Sequence, residues 1–238
     1  MKHVVVTAGA VVALLCAAQP SHAVLQFAAT VGGVAISCVD QTACDLNATE
    51  GILQTGPTAA AGVSFLGSSQ TQNIGGVDSI DTTSFQITNT GAGSIAIQFA
   101  VGGTDFDGPV TVLSQSGSGT FQNAIGSSAT LTFYADTANQ QGADTPTDFP
   151  GVETANSGLI TATTLADSFN FNSTFPFLDA DLYSMTLGTT GILTAGGSLV
   201  GRSQTQLALV DVPEPGSLAL LGSMLVGAGW MIRRRRQS

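Results

Sequence analysis

Between residues 24 and 211 the chain offers carboxylates and little else that could titrate or attack. Fifteen Asp and Glu stand against one basic residue, Arg202, while His3, His22 and Lys2 all lie upstream. This region therefore cannot assemble a Ser-His-Asp triad, a Ser-Lys dyad or a Schiff base. Two carboxylates suffice for glycoside hydrolysis, one acting as acid and the other as base or nucleophile. Asp105 with Asp107, and Asp179 with Asp181, stand at i, i+2, a spacing that puts both groups of a strand pair on one side. Fifteen scattered acids generate such pairs by chance, so the expectation is a chain without catalysis. A carboxylate-dependent glycan-active or glycan-binding module is the alternative.

The same Asp105 and Asp107, set among glycines in GGTDFDG, are the weak candidates for a Ca²⁺ site, since hard oxygen ligands suit that ion. The segment matches neither an EF-hand loop nor a recurring glycine-rich calcium repeat. A polar turn is the simpler expectation, and no cofactor is expected.

Cys38 and Cys44, separated by five residues in SCVDQTACD, are the cysteines downstream of residue 23. An even pair favours a disulfide over two free thiols if the chain is exported to an oxidising compartment. A zinc site would need more ligands, and a redox pair is usually spaced Cys-x-x-Cys.

Export is what the N-terminus encodes. Lys2 supplies a positive start, Val4 to Ala18 an apolar run, and Ser21-His22-Ala23 a small-x-small cleavage site, so residues 1–23 read as a signal peptide. The chain's other end reads VPEPGSLALLGSMLVGAGWMIRRRR. Leu218 to Ile232 is uncharged and predicts one C-terminal transmembrane helix. Fifteen helical residues rise about 22 Å, short of the roughly 30 Å hydrocarbon core. Snorkelling arginines and local thinning make up the difference. Arg233, Arg234, Arg235 and Arg236 form the membrane stop and hold that end in the cytoplasm.

Pro213-Glu214-Pro215, then a short apolar helix, then an arginine cluster, occur in fixed order over residues 212–238. This tail resembles the PEP-CTERM sorting signal of Gram-negative bacteria. The resemblance implies recognition by a membrane-embedded exosortase near the Pro-Glu-Pro. It also implies transient anchoring in the inner membrane, then a cell-surface or matrix location, with exopolysaccharide as a possible partner.

Residues 24–211 must present whatever the protein presents. SFQITN (84–89) and SIAIQFAV (94–101) alternate apolar and polar residues around the turn-rich TNTGAG, which predicts a hairpin over 84–101. TLTFYAD (130–136), DSFNFNS (167–173), LYSMTLG (182–188) and QTQLALVDV (204–212) predict further strands. Residues 137–158 read as a structureless surface loop. With no helical stripe, the pattern predicts an all-β domain over 24–211, an antiparallel sandwich with a jelly roll as one possible topology. A formal charge of about −14 over this region repels phosphate backbones, so no nucleic-acid binding is expected. A low-charge exterior rich in Thr, Gln, Asn and Gly suits a structural or adhesive role in a hydrated polymer.

Overall fold

The computed structural model describes residues 24–60, 63–74, 77–107, 110–179 and 182–208. Among them lie β1 (Leu25–Val31), β2 (Val34–Val39), β3 (Ile52–Gln54), β4 (Thr58–Ala60), β5 (Val63–Ile74), β6 (Val77–Asn89) and β7 (Ile95–Phe106). They continue with β8 (Val110–Gln122), β9 (Ser128–Asp136), β10 (Val152–Asn156), β11 (Ile160–Thr161), β12 (Ala166–Asp179), β13 (Tyr183–Leu193) and β14 (Ser198–Ala208). All the pairings are antiparallel, and no helix occurs among the described residues.

The strands make two stacked sheets, ordered β10-β9-β13-β7-β1-β2 and β12-β8-β14-β6-β5-β3. Within them, β6-β14-β8-β12 face β7-β13-β9-β10, and the chain crosses between sheets at almost every step from β6 onward. That order is a jelly roll. The hairpin β1-β2 widens one sheet, and β3, β4 and β5 widen the other. The last strand, β14, lies in the interior of its sheet, paired along its length with β6 and β8.

Alternation explains why these segments are strands. In β9, Ala129, Leu131, Phe133 and Ala135 are buried while Ser128, Thr130, Thr132 and Tyr134 turn outward. Aromatic rings run through an otherwise aliphatic core between the sheets. Phe27 stacks on Phe65 at 5.1 Å, Phe85 meets Phe99 edge-on at 4.6 Å, and Phe133 stacks on Phe171 at 5.7 Å. Full burial of each such ring contributes roughly 1.5–3 kcal/mol. One buried polar pair bridges strands: Thr82 Oγ1 lies 2.8 Å from Ser203 Oγ and accepts the Ser203 N–H at 2.6 Å. Tyr183, fully buried, donates its hydroxyl to Asp78 at 3.4 Å, which links one sheet to the other.

The structure corrects two expectations. Residues 84–101 are not a hairpin: β6 belongs to one sheet and β7 to the other, and 90–94 bridge the layers. Asn89, completely buried, fixes that crossing by donating its side-chain amide to the carbonyls of Gly93, Leu193 and Thr194. Its own Oδ1 accepts the Gly91 N–H. Alternation reports which residues face inward but not which neighbour a strand pairs with. Residues 137–158, expected to be structureless, contain β10, which pairs with β9 across a register shift.

Candidate functional site

The outer face of the β9-β13-β7 sheet carries a loop fixed to it by side-chain contacts. Pairing register sets side by side Gln26 of β1, Gly102 of β7, Thr186 of β13, Tyr134 of β9 and Glu153 of β10. Loop 137–151 lies across this row. It leaves β9 through Asp136, whose carboxylate accepts the N–H groups of Ala138 and Gln140. Next it is clamped to β7 by a reciprocal pair. Asn139 Nδ2 donates to Asp105 Oδ1 at 2.8 Å, and the Asp105 N–H donates to Asn139 Oδ1 at 2.9 Å. Farther along, Gln26 Nε2 donates to Asp144 at 3.1 Å.

Near its end the loop carries Phe149, whose ring stacks on Tyr134 at 4.8 Å, with the planes only 3° apart. Gly188 makes room for it: a Cβ there would sit 2.7 Å from the Phe149 ring and 2.5 Å from Thr132 Oγ1. Tyr134 donates its hydroxyl to Glu153 at 3.0 Å. Burial, and then the Glu153 carboxylate, push the Tyr134 phenol above its ordinary pKa, so it stays a neutral donor. Beyond the loop, Thr30, Gln98, Thr190 and Thr130 form a flat, half-buried polar row across β1, β7, β13 and β9. An aromatic pair, one carboxylate and a shelf of hydroxyls and amides can stack on and hydrogen-bond an uncharged polyol.

The sequence-predicted residues fall elsewhere. Cys38 and Cys44 are joined in a disulfide with Cα atoms 5.7 Å apart, at the end of β2. The loop it closes is held by Asp45, which accepts the N–H groups of Asn47 and Gln54 at 2.9 Å and of Gln41 at 3.2 Å. Burial opposes ionisation of Asp45, but those donors outweigh it and hold its carboxyl below the usual range. Asp40, which accepts the Gly51 N–H at 2.7 Å, is pushed up by burial and by neighbouring Asp45. Both features are structural.

Asp105 and Asp107 are separated in role. The first locks the loop to Asn139 and accepts the Thr104 hydroxyl at 3.1 Å. The second gives its backbone N–H to Asp78 at 3.0 Å. Among the described residues no group of three or more His, Cys, Asp or Glu gathers as a metal would require. Asp179 ends β12, and Asp181 lies outside the described residues, as do residues 1–23 with the expected signal peptide, Pro213, Glu214, Pro215, Arg233 to Arg236 and Trp230. No helix of the described residues is long and apolar enough to cross a membrane. Phe149 and Glu153 were not picked out in the sequence. The available signal was the lone aromatic in the polar stretch TPTDFPG.

Residues 211–236, starting three positions after β14 ends, match the description of a known sorting signal. The chain carries a PEP-CTERM protein-sorting motif. This PEP-CTERM segment implies an exported protein. No curated protein matches the chain. Among solved structures it is similar to TmCBM61 in complex with β-1,4-galactotriose, at 13% identity and a TM-score of 0.31, covering 61% of this chain and 88% of that one. A second likeness is to the infectious bursal disease virus Gx strain, at 16% identity and 0.31, covering 80% and 52%. A third is to the CBM22-1 xylan-binding domain from Paenibacillus barcinonensis Xyn10C, at 16% and 0.26, covering 64% and 86%. At these scores the likenesses bear on no ligand of this chain.

Proposed function

We propose that this is a non-catalytic protein, exported and processed by an exosortase, whose jelly roll serves a structural or adhesive role at the cell surface or in an exopolysaccharide matrix. The PEP-CTERM motif immediately downstream of β14 is the observation that carries this reading. The tail first anchors the precursor in the inner membrane through Leu218 to Ile232, with Arg233 to Arg236 on the cytoplasmic side. Two prolines around Glu214 disfavour a helix across the motif, a sequence suited to a protease or transpeptidase cleft. The test is processing in a host that carries the exosortase, followed by immunoblot of membrane and released fractions. Glu214→Gln, and separately Pro213→Ala with Pro215→Ala, should leave full-length membrane-bound precursor. Unchanged processing of both would overturn recognition through this motif.

A second reading, glycan binding, is favoured by the Tyr134–Phe149 pair beside Glu153 and the polar row next to it. It is tested on a glycan array, where Phe149→Ala should abolish any selective, saturable signal.

A further inference from the structure

The four lateral edges of the sandwich are unequal. At one margin β2 is six residues long and runs into the disulfide loop, and β3 is three residues long. At the other, β10 has five residues, a register shift and the exposed charge of Glu153. Shortness, irregularity and charge are the usual protections of a sheet edge. β12 has none of the three in its central stretch. It is fourteen residues long, pairs in continuous register with β8 from Ala166 to Pro176, and has no strand on its other side among the described residues. From Ser168 to Leu178 it carries no charge, in a chain whose net charge is −10. Ser168, Asn170, Asn172 and Thr174 are exposed, while Phe169, Phe171 and Phe175 on the core side are half-buried.

We propose that the free edge of β12 pairs antiparallel with the same edge of a second copy of this chain, about a two-fold axis through Asn172. An unpaired edge selects an extended peptide as its partner, through its row of N–H and C=O groups. The residue pattern selects a copy of itself. Folded about position 172, the strand sets Phe169 against Phe175, Phe171 against Ser173, and Asn170 against Thr174. Every aromatic then meets an aromatic or a small residue on the core side, and amides and hydroxyls meet on the outer side. No carboxylate faces another across the central pairs. A two-fold interface needs this self-complementarity, because each residue meets its counterpart's mirror position. Pro176, which lacks an N–H, suits an edge strand and marks where the new ladder stops. Pairing would join two jelly rolls through one continuous sheet.

The test places a cysteine on the axis of the full exported chain. Paired residues in an antiparallel ladder have Cα atoms about 4.5–5.5 Å apart, within reach of a disulfide. Asn172→Cys should give a covalent homodimer after mild oxidation. Asn170→Cys alone should not, whereas Asn170→Cys with Thr174→Cys should. Adding Asn172→Lys to that double variant sets two like charges on the axis and should abolish the cross-link. Asn156→Cys, exposed on β10, reports random collision. These side chains are exposed, and a wild-type circular dichroism spectrum with a cooperative thermal transition confirms folding in each variant. A dimer from Asn172→Cys no stronger than from Asn156→Cys, or equal dimer from Asn170→Cys alone, would overturn the proposal. The precursor is assayed alongside the released form, so failed tail processing does not bear on the outcome.

Discussion

The two margins of the sandwich carry matched aromatic stacks and differ in almost everything else. At the closed margin Phe27 and Phe65 stack at 5.1 Å with planes 19° apart, and at the open margin Phe133 and Phe171 stack at 5.7 Å and the same 19°. Phe65 is 1% exposed, on a strand covered by short β4, whereas Phe171 is half-buried on the edge strand β12. The same pairing of rings thus contributes stability at one margin and leaves accessible surface at the other. What separates them is the covering chain: residues 40–51 wrap one margin through Asp40, Cys44 and Asp45, and nothing comparable covers β12 among the described residues.

Truncating the two stacks measures that difference directly. Phe65→Ala should cost about 3–5 kcal/mol, as expected for a large buried aromatic. Phe171→Ala should cost roughly half as much, because part of its surface already meets water. Equal losses in a denaturant titration would show that the open margin is as well sealed as the closed one. Replacing Cys38 and Cys44 together by Ser should cost about 2 kcal/mol, since the bridge closes only a short loop. Alkylation without reductant should label neither thiol of the wild-type protein, and two labelled thiols would remove the bridge from the closed margin.

Smaller effects follow from the carboxylates of the same loop. Asp45→Asn should cost about 1 kcal/mol near neutrality, allowing for its partial exposure to solvent. The direction with pH is fixed by the lowered folded pKa. The Asp45 contribution is full above the ordinary carboxylate pKa and is lost as pH falls through the lower folded value. The Asp45→Asn penalty should therefore vanish in strong acid. Asp40 runs the opposite way: its charged form weakens the fold, and that weakening disappears as pH falls through its raised value. Asp40→Asn should be neutral or slightly stabilising above that value, and a chemical-denaturation series across pH separates the two residues. The smallest change is expected on the outer face of the open margin, where Tyr134 of β9 pairs with Glu153 of β10. Tyr134→Phe removes a half-exposed hydrogen bond to Glu153 and should shift stability by less than about 0.5 kcal/mol, leaving the ring stack on Phe149 intact.

Much of this was legible from local pattern, and the exceptions share a cause. The all-β class, six of the fourteen described strands (β6, β7, β9, β12, β13 and β14) and the disulfide follow from alternation and cysteine count. β8 did not stand out, because SQSGSG reads as a run of turn residues. Its glycines serve close approach: a Cβ on Gly119 would lie 2.6 Å from the Phe169 ring. The misassigned hairpin at 84–101 and the loop over the sheet failed for a related reason. Which layer a strand joins, and what a loop lies on, depend on contacts such as Asn89 with Leu193 or Asp105 with Asn139, each between segments distant in sequence. The site at Phe149 has the same character. Its meaning comes from Tyr134 and Gly188, and neither is near it in the chain.

The interior position of β14 governs when this protein can fold. A chain that leaves the ribosome and crosses a membrane from its N-terminus delivers residues 198–208 after every other strand described here. Until they arrive, β6 and β8 are separated by a gap the width of one strand, and the sheet exists only as two unconnected pieces. Long-range pairings of this kind form late, because the connecting chain must be ordered before they reward it. The jelly roll therefore closes only once Ala208 has been delivered, and a chain that crosses a membrane before that point crosses it without the completed sheet. Any pull later applied through the tail enters at β14, where two ladders of hydrogen bonds resist it in shear.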